Sequence, residues 1–178
     1  MMPDDKGNLY LFEAIELRNE YDRNIKLLKK LTQGDQDRGD RFFNNREEEE
    51  RKPAQDFDQK KQEDKLKKLK IKRVKLNQAI QEANFKYQID KDGEEISIAE
   101  ALEIRKNLLT DIEIISQRVI ASAYKHVIHK EERDIVHEPK HSFKQVYDEY
   151  QENIRKIRTL ITQIHIANLR NKVNFKEE

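Results

Sequence analysis

Two pairs of glutamates at helical spacing are the residues whose types and positions best suit catalysis. They are Glu13 with Glu16, and Glu100 with Glu103. Carboxylates from two related helices can hold divalent cations, and some helical enzymes that hydrolyse nucleotide phosphates work in this way. At about 100° per residue, however, Glu16 and Glu103 point away from the apolar faces of their helices. A metal-dependent all-α nucleotide phosphohydrolase is therefore kept as an alternative, and we expect these acids to stabilise helix starts.

Two arginines follow the glutamate pairs and lie within otherwise apolar helix faces. A guanidinium group in such a place needs polar partners. Asparagines near the ends of the returning helices, with one glutamate from each pair, are the candidates to supply them. We predict two structural polar clamps that fix the register of helical hairpins, with an anion or ligand site on the same residues as the alternative. The clamp residues are Arg18, Asn84, Arg105, Asn168, Glu13 and Glu100.

Four of the five histidines lie in one segment and are the candidates for binding a metal ion. They are His126, His129, His137 and His141. Imidazoles at such spacing can meet at one Zn²⁺ or Ni²⁺ ion. A solvated polar connection is the interpretation that we favour, so the sequence predicts neither a resident metal nor a cofactor.

A stripe of basic residues runs along the predicted second helix. Long hairpins with such a stripe can contact RNA, which gives a second alternative function. Acidic residues from Glu47 to Glu50 lie nearby, the formal net charge is only +1, and no aromatic residues alternate with the lysines to stack on bases. We therefore expect a solvated face and no nucleic-acid partner. The stripe comprises Lys60, Lys61, Lys65, Lys67, Lys68, Lys70, Lys72, Arg73 and Lys75.

Two adjacent phenylalanines, Phe42 and Phe43, stand in an otherwise polar stretch. They either close the end of a helical bundle or form an exposed contact for a protein partner, because exposed paired aromatics are costly unless they are used.

The composition predicts an all-α protein. Charged residues make up 40% of the 178 residues and hydrophobic residues 35%, with only 4 glycines and 3 prolines. This is typical of long charged helices rather than of sheets, which need many turns. The lack of cysteine suits a reducing compartment. No apolar stretch approaches the roughly 18 residues of a membrane span, and the first residues do not resemble a signal peptide, so we expect a cytoplasmic protein.

Periodicity and capping signals predict four helices. The first spans about 8–31 and the second about 57–88, after an N-cap at Asp56. A capping box beginning at Ser97 opens the third helix, and Ser142 caps the fourth. The third has apolar residues around much of its circumference, so we expect it to be the most buried.

The helices are linked by a turn at Asp90 to Gly93 and by two irregular connections, 32–55 and 125–141.

Two sequence patterns each occur twice. Glu-Ala-x-Glu-x-Arg begins at Glu13 and again at Glu100, and Ile-x-x-Ala-Asn begins at Ile80 and again at Ile164. Each half of the chain is therefore one copy of a helical hairpin, 8–89 and 97–175. We predict a single helical domain, 1–178, in which two tandem antiparallel hairpins, an internal duplication, form an elongated four-helix, coiled-coil-like bundle.

These motifs resemble a family of small bacterial helical proteins, uncharacterised in function, some of which carry the name septicolysin. The resemblance covers nearly the whole chain and rests on the repeated Glu-Ala-x-x-x-Arg and Ile-x-x-Ala-Asn motifs and on the capped junctions. It implies a helical, coiled-coil-like fold capable of self-association, and it supplies no catalytic residues. The segment from Glu131 to His137 departs from the Ser/Tyr-rich stretch that the family leads us to expect.

The sequence thus predicts a non-enzymatic helical protein that acts by self-association, as a homo-oligomer, or by binding a protein partner.

Overall fold

The computed structural model describes residues 8–33, 54–131 and 133–176. Within these ranges the chain forms four helices and six short strands. The helices are α1 Leu11–Gln33, α2 Gln59–Lys86, α3 Ile98–Ser122 and α4 Phe143–Arg170. The strands are β1 Leu9–Tyr10, β2 Gln88–Lys91, β3 Glu94–Ser97, β4 His126–His129, β5 Asp134–His137 and β6 Lys172–Val173. The predicted all-α fold is confirmed in that the chain is mostly helical. The prediction did not include these strands, which pair as three two-stranded antiparallel sheets.

The chain divides into two compact units. The first comprises Met1–Ala83 and Asn171–Glu178, and the second comprises Asn84–Arg170. Among the described residues, no helix is long and apolar enough to cross a membrane.

In the first unit, α1 and α2 are joined by polar contacts. Arg18 Nη1 donates to Asn77 Oδ1 at 3.5 Å, and Arg73 Nε lies 3.0 Å from Asp22 Oδ1. The partner numbers fall along α2 as they rise along α1, which is the order that antiparallel helices give. Strands β1 and β6 pair with Leu9 opposite Val173, and this pairing connects the start of α1 to the segment that follows α4.

In the second unit, a hairpin of β2 and β3 precedes α3. Asp92 and Gly93 form its turn with φ values of 56° and 90°. Positive φ at both central residues is the geometry of a type I′ turn, which Asp-Gly favours because glycine has no Cβ to clash there. The turn that the sequence predicts at these residues is therefore present, and it is flanked by paired strands.

A second hairpin, β4 with β5, joins α3 to α4. The sequence predicted an irregular connection over 125–141, whereas His126–His129 pairs with Asp134–His137 in this segment. The physical reason is local composition, because Val127, Ile128, Ile135 and Val136 are β-branched and favour extended backbone.

Much of the buried core occupies matching sequence positions in the two halves of the chain. Three of the four buried residues of α1 have buried counterparts in α3 at one constant separation, and four of the five buried apolar residues of α2 and β2 have them in α4 and β6 at another. The corresponding pairs are Leu11 and Ile98, Ala14 and Ala101, Leu28 and Ile115, Leu76 and Leu160, Ile80 and Ile164, Ala83 and Ala167, and Ile89 and Val173. One backbone hydrogen bond has a counterpart at the same separations, because Leu11 N donates to Asn171 O at 2.8 Å and Ile98 N donates to Tyr87 O at 3.0 Å.

Helix α3 is not the most buried helix, and that prediction is wrong. Its buried residues are Ile98, Ala101, Ile115 and Ser122, whereas α4 buries five apolar side chains. Leu109, Ile114 and Ile120 of α3 are more than half exposed. The apolar residues of α3 occupy more of its circumference than the second unit covers.

Candidate functional site

Three of the four predicted glutamates form local hydrogen bonds on exposed helix surfaces. Glu13 Oε2 accepts from the backbone N–H of Tyr10 at 2.8 Å. Glu16 accepts from Asn19 at 3.3 Å, and Glu103 lies 3.3 Å from the ammonium group of Lys106. Among the described residues, no group of three histidines or acids is placed to hold a metal ion. The geometry therefore gives the phosphohydrolase alternative no assembled metal centre.

The fourth, Glu100, forms the capping box that the sequence predicts at the start of α3. Ser97 Oγ accepts from the backbone N–H of Glu100 at 3.1 Å, and Glu100 Oε2 accepts from the backbone N–H of Ser97 at 2.9 Å. The backbone hydrogen bond from Ser97, followed by that from its hydroxyl group, lowers the pKa of Glu100 below its ordinary value. Because a lowered pKa favours the charged form, this contribution to stability is present at neutral pH and is lost as the pH falls through the lowered pKa.

The arginines of the predicted clamps have different surroundings. Arg18 donates to Asn77, a residue that the sequence analysis did not identify. Within the second unit, Arg105 Nε and Asn168 Oδ1 are buried and have no hydrogen-bond partner among the described residues. Leaving a buried polar atom unpaired costs about 1–3 kcal/mol. Asn84 is also buried, at 6% exposure. The predicted clamps combine residues of both units. They therefore stay a prediction.

The histidines divide between the two faces of the β4–β5 hairpin. His126 and His137 are directly opposite one another in the antiparallel register. Both line a cavity of about 430 Å³ that His141 also lines, between the end of α3 and the segment before α4. His129 is on the other face, where its Nδ1 lies 2.8 Å from Asp134 Oδ1. The structure therefore brings three of the four candidate histidines to one cavity.

The basic stripe on α2 lines a groove of about 890 Å³. Five of its lysines contribute to this groove together with Asp58 and Asp64, and no described aromatic side chain lines it. Lys67 and Arg73 are in ion pairs with Asp64 and Asp22. This mixture of charges without a stacking surface does not favour the RNA-contacting alternative. Phe42 and Phe43, the predicted partner contact, lie outside the described residues.

A segment rich in exposed apolar residues is a further candidate site that sequence reasoning missed. Of the 18 large apolar side chains that are exposed among the described residues, nine lie between Leu109 and Tyr147. Ile120 is 63% exposed and Tyr124 is 75% exposed. The available signal was the broad apolar circumference of α3, which we interpreted as evidence of burial.

Comparisons with known proteins bear on the fold. No protein-family model matches the chain, and a search of curated proteins found no match. The chain is similar to the crystal structure of a functionally unknown conserved protein from Corynebacterium diphtheriae, with a TM-score of 0.71 and 18% sequence identity. The similarity covers 93% of this chain and 99% of that one. At 18% identity, this similarity shows that the two chains share a fold.

Proposed function

We propose that this protein is a non-enzymatic helical protein that works by self-association through the second unit. The observation that carries the proposal is the concentration of exposed apolar side chains between Leu109 and Tyr147. Exposed apolar surface of this kind marks interaction sites in folded proteins. The resemblance to the helical family described above also implies a fold capable of self-association.

Within this segment, the β4–β5 hairpin is the part that would gain most stability by packing against another surface. Two-stranded hairpins are marginally stable in water unless they pack against something else. Seven of the eight strand residues of this hairpin are exposed, and Ile135 is half-buried. Val127 and Val136, opposite one another on one face, are 45% and 49% exposed. Covering this valine pair would stabilise the hairpin by removing apolar surface from water.

Charge around the valine pair favours a second copy of the same chain as the cover. At one end of the hairpin, just outside the strands, Lys125 Nζ lies 2.7 Å from Glu138 Oε1, and the His129–Asp134 pair flanks the valines on their own face. The groups that can be positive belong to the β4 side and the acids to the β5 side. If two hairpins stack about a two-fold axis parallel to the strands, β4 of one copy covers β5 of the other. Each His129 then faces an Asp134 and each valine a valine, so the surface is complementary to itself.

The proposal includes the architecture that the sequence predicts. Two tandem antiparallel hairpins, related by internal duplication, pack as an elongated four-helix, coiled-coil-like bundle. The repeated core positions and the repeated backbone hydrogen bonds before α1 and α3 support the duplication.

The proposal is tested by measuring molar mass with light scattering over a concentration series. We expect the wild-type mass to rise above that of one chain, and the double variant Val127→Thr, Val136→Thr to stay monomeric. Threonine keeps the β-branched shape that strands favour but removes the apolar contact. Val74→Thr is the matched control, because Val74 is 62% exposed on α2, and it should associate like the wild type.

A wild-type chain that stays monomeric at every concentration would contradict self-association. If it is monomeric alone but captures a different protein through the same two valines, the surface serves a partner and the proposed self-association is wrong.

A further inference from the structure

The face of the β4–β5 hairpin opposite the valine pair carries a pair of histidines. His126 and His137 are register partners, and side chains at such positions stand on the same face with Cβ atoms about 5 Å apart. This spacing is set by the strand pairing and not by a flexible loop. Two imidazole rings so held can each turn one nitrogen towards a common ion.

Within the part of the chain that the structure describes, the ring nitrogens of three candidate histidines are unpaired. Among the described residues, His126, His137 and His141 have no hydrogen-bond or ion-pair partner. His129, by contrast, is held by Asp134. Unpaired imidazole nitrogens of His126 and His137 are therefore available at the cavity that they line. The fourth histidine, His129, is paired with Asp134 on the opposite face.

Nearby charges are largely neutralised by other partners. Arg118, which lines the cavity, has its Nη2 3.0 Å from Glu149 Oε1, and Glu138 is paired with Lys125. Lys140 also lines the cavity, but it is an exposed side chain that can turn to water. A divalent ion at the histidine pair would therefore not face a cluster of uncompensated cations.

We propose that His126 and His137 form a binding site for a divalent transition-metal ion, with Zn²⁺ as the representative ion. Imidazole nitrogens suit Zn²⁺, which prefers four ligands at tetrahedral positions. In the described conformation no three such side chains are placed to share an ion. The hairpin thus supplies two ligands, and His141, which lines the same cavity, is the candidate for a third. Water completes the coordination.

The site goes beyond the proposed self-association and does not depend on it, because it uses the other face of the hairpin. His126 and His137 alternate with Val127 and Val136 along the strands, and alternate residues of a strand point to opposite faces. Metal binding and association can therefore be changed separately by substitution.

Isothermal titration of the full chain with ZnCl₂ tests the site. We expect one Zn²⁺ per chain for the wild type, and no measurable binding for the double variant His126→Gln, His137→Gln. His141→Gln should weaken binding by about tenfold or more, since even the loss of a residue that only supports a ligand costs 10–100-fold. His129→Gln is the matched control, from the same hairpin but the opposite face, and should bind like the wild type. Circular dichroism of each variant checks that it is folded.

Titration with Co²⁺ gives an independent reading, because its visible absorption reports nitrogen ligands and coordination number. We expect an absorption change that the double variant lacks. Absence of Zn²⁺ uptake by the wild type, or unchanged uptake by the double variant, would overturn the proposal. Binding of inorganic phosphate without Zn²⁺ would also overturn it, and would indicate an anion site that uses Arg118 and Lys140 instead.

Discussion

Replacing Leu76 or Leu160 by alanine is expected to lower the free energy of unfolding by about 2–5 kcal/mol, the range measured when a buried leucine is truncated. Leu76 of α2 is 0% exposed, and Leu160 occupies the corresponding position of α4 at 3%. Each substitution removes buried apolar contacts and leaves a cavity that neighbouring helices fill only in part. Because the two positions correspond in the repeat, their effects should be similar. Urea unfolding followed by circular dichroism measures both.

Val74→Ala is the control for this pair, since it truncates an exposed apolar side chain two residues from Leu76. We expect a change within about 0.5 kcal/mol, as for most surface substitutions. A loss below about 1 kcal/mol for Leu76→Ala would contradict the packing of the first unit. A large loss for Leu160→Ala alone would show that the repeated core positions are not energetically equivalent.

Replacing Ala101 by leucine should destabilise the protein by about 1–3 kcal/mol, because extra methylene groups in a packed core force side chains and backbone to shift. Ala101 and its counterpart Ala14 are both 0% exposed. These are the alanines of the repeated Glu-Ala-x-x-x-Arg motif. We therefore infer that the motif keeps a small residue where the start of each helix is fully enclosed.

Ala121→Leu is the matched control on the same helix. Ala121 is exposed, and leucine has a helix propensity close to that of alanine, so stability should change little. Thermal unfolding compares the two variants directly. An Ala101→Leu variant as stable as the wild type would mean that the start of α3 is loosely packed, contrary to its burial.

Much of the helical structure could be predicted because its signals are local. Alternating three- and four-residue spacings located α1 and α2, and Ser97 with Glu100 marked the start of α3. The sequence predicts the start of α2 two residues too early, because Asp56 and Asp58 can both act as the N-cap. The structure uses Asp58, whose Oδ1 accepts from Lys61 N at 3.0 Å.

Strands were harder to predict, for two different reasons. Asp92-Gly93 between Ile89 and Ile96 is a recognised hairpin signal, so β2 and β3 could have been inferred. Strands β1 and β6 could not, because each has two residues and Leu9 pairs with the distant Val173. No local pattern reports such a pairing.

The candidate sites show the same division between local and non-local information. The cluster of histidines was visible in the sequence, but only the register of β4 and β5 separates His126 and His137 from His129. The sequence overestimates the burial of α3. An apolar circumference shows which faces of a helix could be buried, but it does not show which of them other elements pack against. Asn77 as the partner of Arg18 depends on how α1 and α2 are aligned, which neither helix encodes alone.

The central claim is that the valine face of the β4–β5 hairpin contacts the same face of a second copy, and cross-linking tests it most directly. The chain has no cysteine, so Val127→Cys and Val136→Cys variants each carry a single thiol. The two variants, one of them mass-tagged, are mixed and treated with a thiol cross-linker of about 10 Å, the separation of stacked sheets. We predict links between copies, including 127-to-136 links between the two variants, with none for a Val74→Cys control. No 127-to-136 links at concentrations well above those used for light scattering, or an equal yield of links for the Val74→Cys control, would contradict the account.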